Sequence, residues 1–181
     1  GLGIPAEPLF RSSIMFANCE NLEEINVNKF EGENLLAMVG TFSNCYKIKN
    51  IEINLDTSKV TDMGFLFEHC SELETIRFGK AFVTNNVTDM YAMFGDCPML
   101  KTINFGTDLA TESATDMGNM FVNDQNLESL DLRKFDTSQV TDMVNMFSNC
   151  KKLKISNLNF DTSQVTDMSG MFENCESLTE I

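Results

Sequence analysis

The sequence predicts an α/β solenoid: a stack of repeats of 25–27 residues, each giving one short parallel strand and one short helix. Three observations predict it. Cys19, Cys45, Cys70, Cys97, Cys150 and Cys175 follow one another regularly, and Asp124 in "FVNDQNL" fills the one missing slot, so the anchors are 26, 25, 27, 27, 26 and 25 residues apart. An apolar residue stands 15 positions before six of these slots: Phe30, Leu55, Phe82, Leu109, Phe135 and Phe160. Between the anchors, apolar residues recur first at helical spacing and then in alternation.

The 15-residue interval never changes. All length variation falls between one anchor and the next Phe or Leu, which takes 11, 10, 12, 12, 11 and 10 residues. One part of the unit is therefore a fixed block, and one exposed loop absorbs the insertions.

The fixed block is expected to be helical. In the sixth copy Val140, Met143, Met146, Phe147 and Cys150 make one apolar face, and Val60, Met63, Leu66 and Phe67 repeat it in the third. Thr141 and Asp142 stand at its start, where a side-chain oxygen can accept from free N–H groups. Such a helix spans only two or three turns and is marginal alone. After the anchor come Leu73, Ile76 and Phe78, then Leu100, Ile103 and Phe105, then Leu127, Leu130 and Leu132. The last pair of each set alternates as in a short half-buried strand. No single unit can bury its own apolar face, so the copies must stack, with strands about 4.8 Å apart.

The whole chain, 1–181, reads as one repeat domain, with 1–10 as a partial cap or linker. Ile181 is equivalent to Ile76, so the final copy stops inside a strand. Further copies, a covering partner or end-to-end self-association through that edge are expected. Hydrophobic residues make up 43% of the chain, too many for a disordered acidic tail, and the net charge of −14 disfavours nucleic acid and anionic membranes as partners. No apolar run reaches the roughly 18 residues of a membrane span.

The pattern "FDTSxVTDMxxMFxNCxxL", closest at 135–153 and 160–178 and nearly as close at 55–70, resembles the BspA-type leucine-rich-repeat proteins of bacterial cell surfaces. The resemblance covers about residues 9–181. It implies a leucine-rich-repeat-like, right-handed stack, exported to the cell surface or the extracellular space. It also implies adhesion to a host or neighbouring-cell protein or glycan, with no chemistry. The second copy departs from the pattern by lacking "VTDM", and the fifth carries Asp124 for Cys.

The residues give enzyme chemistry little to work with. The one histidine, His69, occupies the slot held by Asn44, Asn149 and Asn174, which makes it a substituted scaffold position rather than half of a catalytic pair. No CxxC pair offers a zinc site, and in-register cysteines with parallel Cβ directions are expected to be free thiols. Asp62, Asp89, Asp116, Asp142 and Asp167 share one offset, and Asp56, Asp136 and Asp161 another. Without Gly-rich loops to add carbonyl ligands, both rows are expected to cap backbone N–H groups rather than hold calcium. The reading assigns no catalytic residue, metal or cofactor. For ligand binding it selects the outward strand positions that vary between copies: Asn26, Glu52, Arg77, Asn104 and Asp131, with the neighbouring Asn50, Thr75, Thr102 and Ser129. The alternative role is a structural stalk that displays another domain.

Overall fold

The computed structural model describes residues 12–30, 32, 34–106, 109–155 and 158–181. The expected cap at 1–10 lies outside them. Successive copies lie side by side, but the predicted helix in each is absent. Among the described residues the one helical element is a three-residue 3-10 turn, Val27–Lys29. The expectation of an α/β solenoid with a helix per repeat is therefore wrong.

Tight turns take the helix's place. In the third copy the N–H groups of Leu66, Glu68 and Cys70 donate back to the carbonyls of Met63, Phe65 and Phe67 at 3.1–3.3 Å. The alternate N–H groups, of Met63, Phe65, Phe67 and His69, donate to Asp89, Tyr91, Met93 and Gly95 of the next copy at 2.8–3.0 Å. A helix would satisfy its own backbone and leave copies joined by side chains alone. The turn string sends every second N–H to a neighbour, so copies are joined by backbone hydrogen bonds.

The sequence favours turns because two positions per copy adopt a left-handed backbone. Asn18, Asn44, His69, Asp96, Asn123, Asn149 and Asn174 all have φ between 56° and 62°. Four residues earlier stand Gly40, Asn119, Asn145 and Gly170, also at positive φ, along with Ile14, Phe65 and Ala92. Gly and Asn are at ease there and are poor helix formers. The apolar spacing is nonetheless as expected, because successive tight turns bring the chain back to the core every three or four residues. Val60, Met63, Leu66, Phe67 and Cys70 are all fully buried.

The core is a set of columns running through the stack. Phe16, Phe42, Phe67, Phe94, Phe121, Phe147 and Phe172 stack ring on ring, with centroids 5.3–6.0 Å apart and planes within 11°. Each such pair contributes about 0.5–1.5 kcal/mol beyond its burial. Met63, Met90, Met117 and Met143 form a parallel buried column, while Met168 at the end of the described stack is 46% exposed.

The strands are fewer than expected. Asn50–Ile53 (β1), Thr75–Phe78 (β2) and Thr102–Asn104 (β3) form one parallel sheet in that order. In β1, Ile51 and Ile53 point inward while Asn50 and Glu52 point out. Leu130 and Leu132 of the fifth copy pack against the core without joining the ladder. There Asp131 turns the chain on itself, accepting from the Arg133 backbone N–H at 3.2 Å and from its guanidinium at 2.8 and 2.7 Å. Apart from this sheet, a run of isolated parallel bridges links Ala37 through Asp62, Asp89, Asp116 and Asp142 to Asp167.

Candidate functional site

The sheet register places the outward residues in straight rows. Asn50 pairs with Thr75 and Thr75 with Thr102, while Glu52 pairs with Arg77 and Arg77 with Asn104. Within the first row Thr75 Oγ1 lies 2.5 Å from Asn50 Oδ1. In the second row Glu52, Arg77 and Asn104 are all exposed. Asn104 Oδ1 accepts from the Gly106 N–H at 2.9 Å and is fixed by that turn.

The other three predicted residues lie off the sheet. Asn26 caps the 3-10 turn, accepting from the Asn28 N–H at 3.1 Å. Ser129 and Asp131 are exposed beyond β3, on a shallow cleft with Arg133 and Lys154. The Asp131 carboxyl is pulled down to about 2 by its hydrogen bonds to Arg133.

Beside the rows, lysines meet glutamates of neighbouring copies: Lys47 and Lys49 with Glu72, Lys101 with Glu74 at 2.6 Å, and Lys151 with Glu176. Much of the positive charge here is thus used between copies. The face offers hydrogen-bond donors and acceptors, the Arg77 guanidinium and few apolar anchors, which suits polar contact over several copies at once.

The repeated polar residues have structural partners. Asp62, Asp89, Asp116, Asp142 and Asp167 each accept from the N–H two residues on, at 2.8–3.0 Å. Asp56, Asp136 and Asp161 do the same with Ser58, Ser138 and Ser163 at 2.9 Å. The capping role holds, though each Asp caps a turn and not a helix. A threonine ladder went unpredicted. Thr57, Thr84, Thr111 and Thr137 are buried and donate to a carbonyl of the next copy at 2.5–2.9 Å. The recurring "DTS" carried that signal.

The six cysteines are free thiols. Cys45, Cys70, Cys97, Cys150 and Cys175 each donate Sγ–H to a phenylalanine carbonyl of the previous copy, at 3.0–3.1 Å. Burial raises Cys45 to about 12 and also pushes Cys97 and Cys150 well up, so these thiols act as fixed donors and not as nucleophiles. Asp124, fully buried in the same file, accepts from the Cys97 N–H at 2.9 Å, while its Oδ2 has no partner.

A further row runs beside the thiols. Asn174 donates to Asn149, Asn149 to Asn123, and Asn123 to Asp96, at 2.9, 2.9 and 2.7 Å. His69 follows Asp96, with Nδ1 3.6 Å from Asp96 Oδ2.

Residues 11–105 and 104–181 each match the family described as "Mycoplasma protein of unknown function, DUF285". The chain belongs to that family, whose unit recurs here in tandem. No curated protein and no solved structure matches it. Among the described residues no helix is long and apolar enough to cross a membrane.

Proposed function

We propose that this chain is a non-enzymatic binding module of the BspA surface type, displayed outside the cell, where its sheet face adheres to a protein or glycan. The alignment of Glu52, Arg77 and Asn104 into one exposed row supports the reading. These side chains differ from copy to copy while the inward residues beside them, Ile51, Ile76 and Ile103, do not. Variation confined to the outward positions is what a recognition surface requires and what a packing surface forbids.

The test is a triple variant, Glu52→Ala, Arg77→Ala and Asn104→Ala, screened beside wild type against extracellular-matrix proteins and glycans. Loss of capture with unchanged melting supports the assignment. A variant that captures its ligand as well as wild type removes the row from consideration. A stalk is the second reading, favoured by the backbone hydrogen bonds that join each copy to the next and let the stack lengthen by repetition. It gains if a tandem array captures nothing.

A further inference from the structure

We propose that Glu68, His69 and Asp96 form a binding site for a divalent transition-metal ion. One ligand atom from each lies within 4.8 Å of the others. His69 stands between the two carboxylates, with Nε2 3.9 Å from Glu68 Oε1 and Nδ1 3.6 Å from Asp96 Oδ2. Both separations are too long for a hydrogen bond. One ion takes a single ring nitrogen; the Nδ1–Asp96 separation approaches the spacing of about 3.3 Å between ligands of a tetrahedral zinc ion, and Glu68 reaches the same ion by swinging over from the Nε2 side. The side chains are half-exposed or less, so closing the remaining distance needs only rotation about side-chain bonds.

Each ligand is prepared from a different direction. Asp96 Oδ1 accepts from Asn123 Nδ2 at 2.7 Å, which leaves Oδ2 turned toward His69. An outer partner of this kind orients a metal-binding carboxylate. Glu68 is the most enclosed of the three, its side chain 24% exposed, and a cation beside it offsets the cost of burying a carboxylate. A cleft flanked by Asn44, Tyr46, Ser71 and Pro98 opens beside His69 and Asp96 and leaves room for water to complete the coordination.

The site also departs from the repeat in the direction that metal chemistry requires. At the slot of His69 and Asp96 the other copies carry asparagine, and amide follows amide through hydrogen bonds. Only here do an imidazole and a carboxylate meet in adjacent copies, with a second carboxylate next in sequence. One imidazole nitrogen with carboxylate oxygens suits zinc, nickel or cobalt better than calcium, which takes oxygen ligands alone.

The experiment is calorimetric titration of the reduced, chelator-treated protein with Zn²⁺, paired with absorption spectra during Co²⁺ addition. The variants are His69→Asn and Asp96→Asn. Asparagine fits both positions, since the backbone φ of 60° and 59° matches that of Asn44. Wild type is expected to bind one ion per chain, and each variant to bind at least about tenfold more weakly. Melting in chelator should be the same for all three, and the cobalt spectrum should lack thiolate charge transfer. Equal binding by both variants, no binding by wild type, or a thiolate band would each overturn the proposal.

Discussion

Asp124→Cys is expected to stabilise the protein, and to do so more strongly as pH rises. The wild-type carboxyl sits in a file of thiols with no solvent contact, and its Oδ2 has no partner. Burial drives its pKa well above the ordinary 3.8, and the nearby Asp96 adds to the rise, while the hydrogen bond from Cys97 opposes it. Leaving one buried oxygen unsatisfied costs about 1–3 kcal/mol. The substitution removes that oxygen. It also lets the Cys97 N–H return to the carbonyl three residues back, as Cys70 N–H does with Phe67 at 3.2 Å. The new thiol takes up the donor role that Cys150 plays toward Phe121 at 3.0 Å. The expected gain is about 1–3 kcal/mol at neutral pH, at about 2–4 °C in Tm per kcal/mol for a chain of this size.

The pH dependence fixes the interpretation. A carboxyl whose folded pKa is raised contributes fully below its unfolded value, and that contribution is lost as pH climbs toward the folded value. The wild type should therefore fall behind Asp124→Cys progressively above 3.8. Asp56, Asp136, Asp161 and Asp167 have lowered pKa values through hydrogen bonds from the serines two residues on. They destabilise both proteins equally as pH drops below 3.8, so their effect cancels in the difference. Urea unfolding of the two proteins across the acid and neutral range measures the gap. A gap that stays constant with pH, or a variant less stable than wild type at pH 7, refutes the argument.

Two other perturbations probe the joints between copies. Thr111→Val removes both a donor to the Asp136 carbonyl at 2.8 Å and an acceptor for the Asp136 N–H at 2.7 Å, at a buried position. It should cost about 1–3 kcal/mol for each group left unsatisfied, read as a fall in the urea midpoint; an unchanged midpoint removes the threonine ladder from the account of stability. A thiol reagent added to the native protein should modify the exposed Cys19 at once and spare Cys45, Cys70, Cys97 and Cys150 until denaturant is added, since these four are buried. Rapid modification of three or more thiols would contradict the buried file.

The repeat unit and its inward faces were legible because they rest on spacing alone. Phe67, Phe94 and Phe121 share an offset in the sequence and stack ring on ring in the fold. The conformation of the fixed block was not legible from spacing, because a turn string returns side chains to the core at nearly the helical period. The discriminating signal lay in Asn44, Asn149 and Asn174, each just before an anchor Cys. A helix tolerates asparagine there only at a loss, whereas a left-handed turn selects it. Phe65 and Ala92 hid the companion position, since neither residue type advertises a positive φ. The outward rows of β1 to β3 were readable from alternation. The end of the sheet was not, because it depends on Asp131 pairing with its own Arg133. The approach of Glu68, His69 and Asp96 was equally hidden, since it needs two copies brought into register.

A stack of this kind separates what holds it up from what it can display. Stability resides in columns whose members face their equivalents in adjacent copies: phenylalanine on phenylalanine, threonine to carbonyl, thiol to carbonyl. A change in one column is felt by its two neighbours and little further. Asp124 illustrates the consequence, because its strain is local to Cys97 and the copies on either side, and the phenylalanine column passes it unbroken from Phe94 to Phe121 to Phe147. Outward positions belong to no such column. Exchanging Arg77 for another polar residue disturbs no buried partner, so those rows can diverge without cost to the fold. His69 and Asp96 lie between the two regimes. They keep the backbone geometry of the asparagine slot, which the fold demands, while replacing its chemistry, which the fold does not.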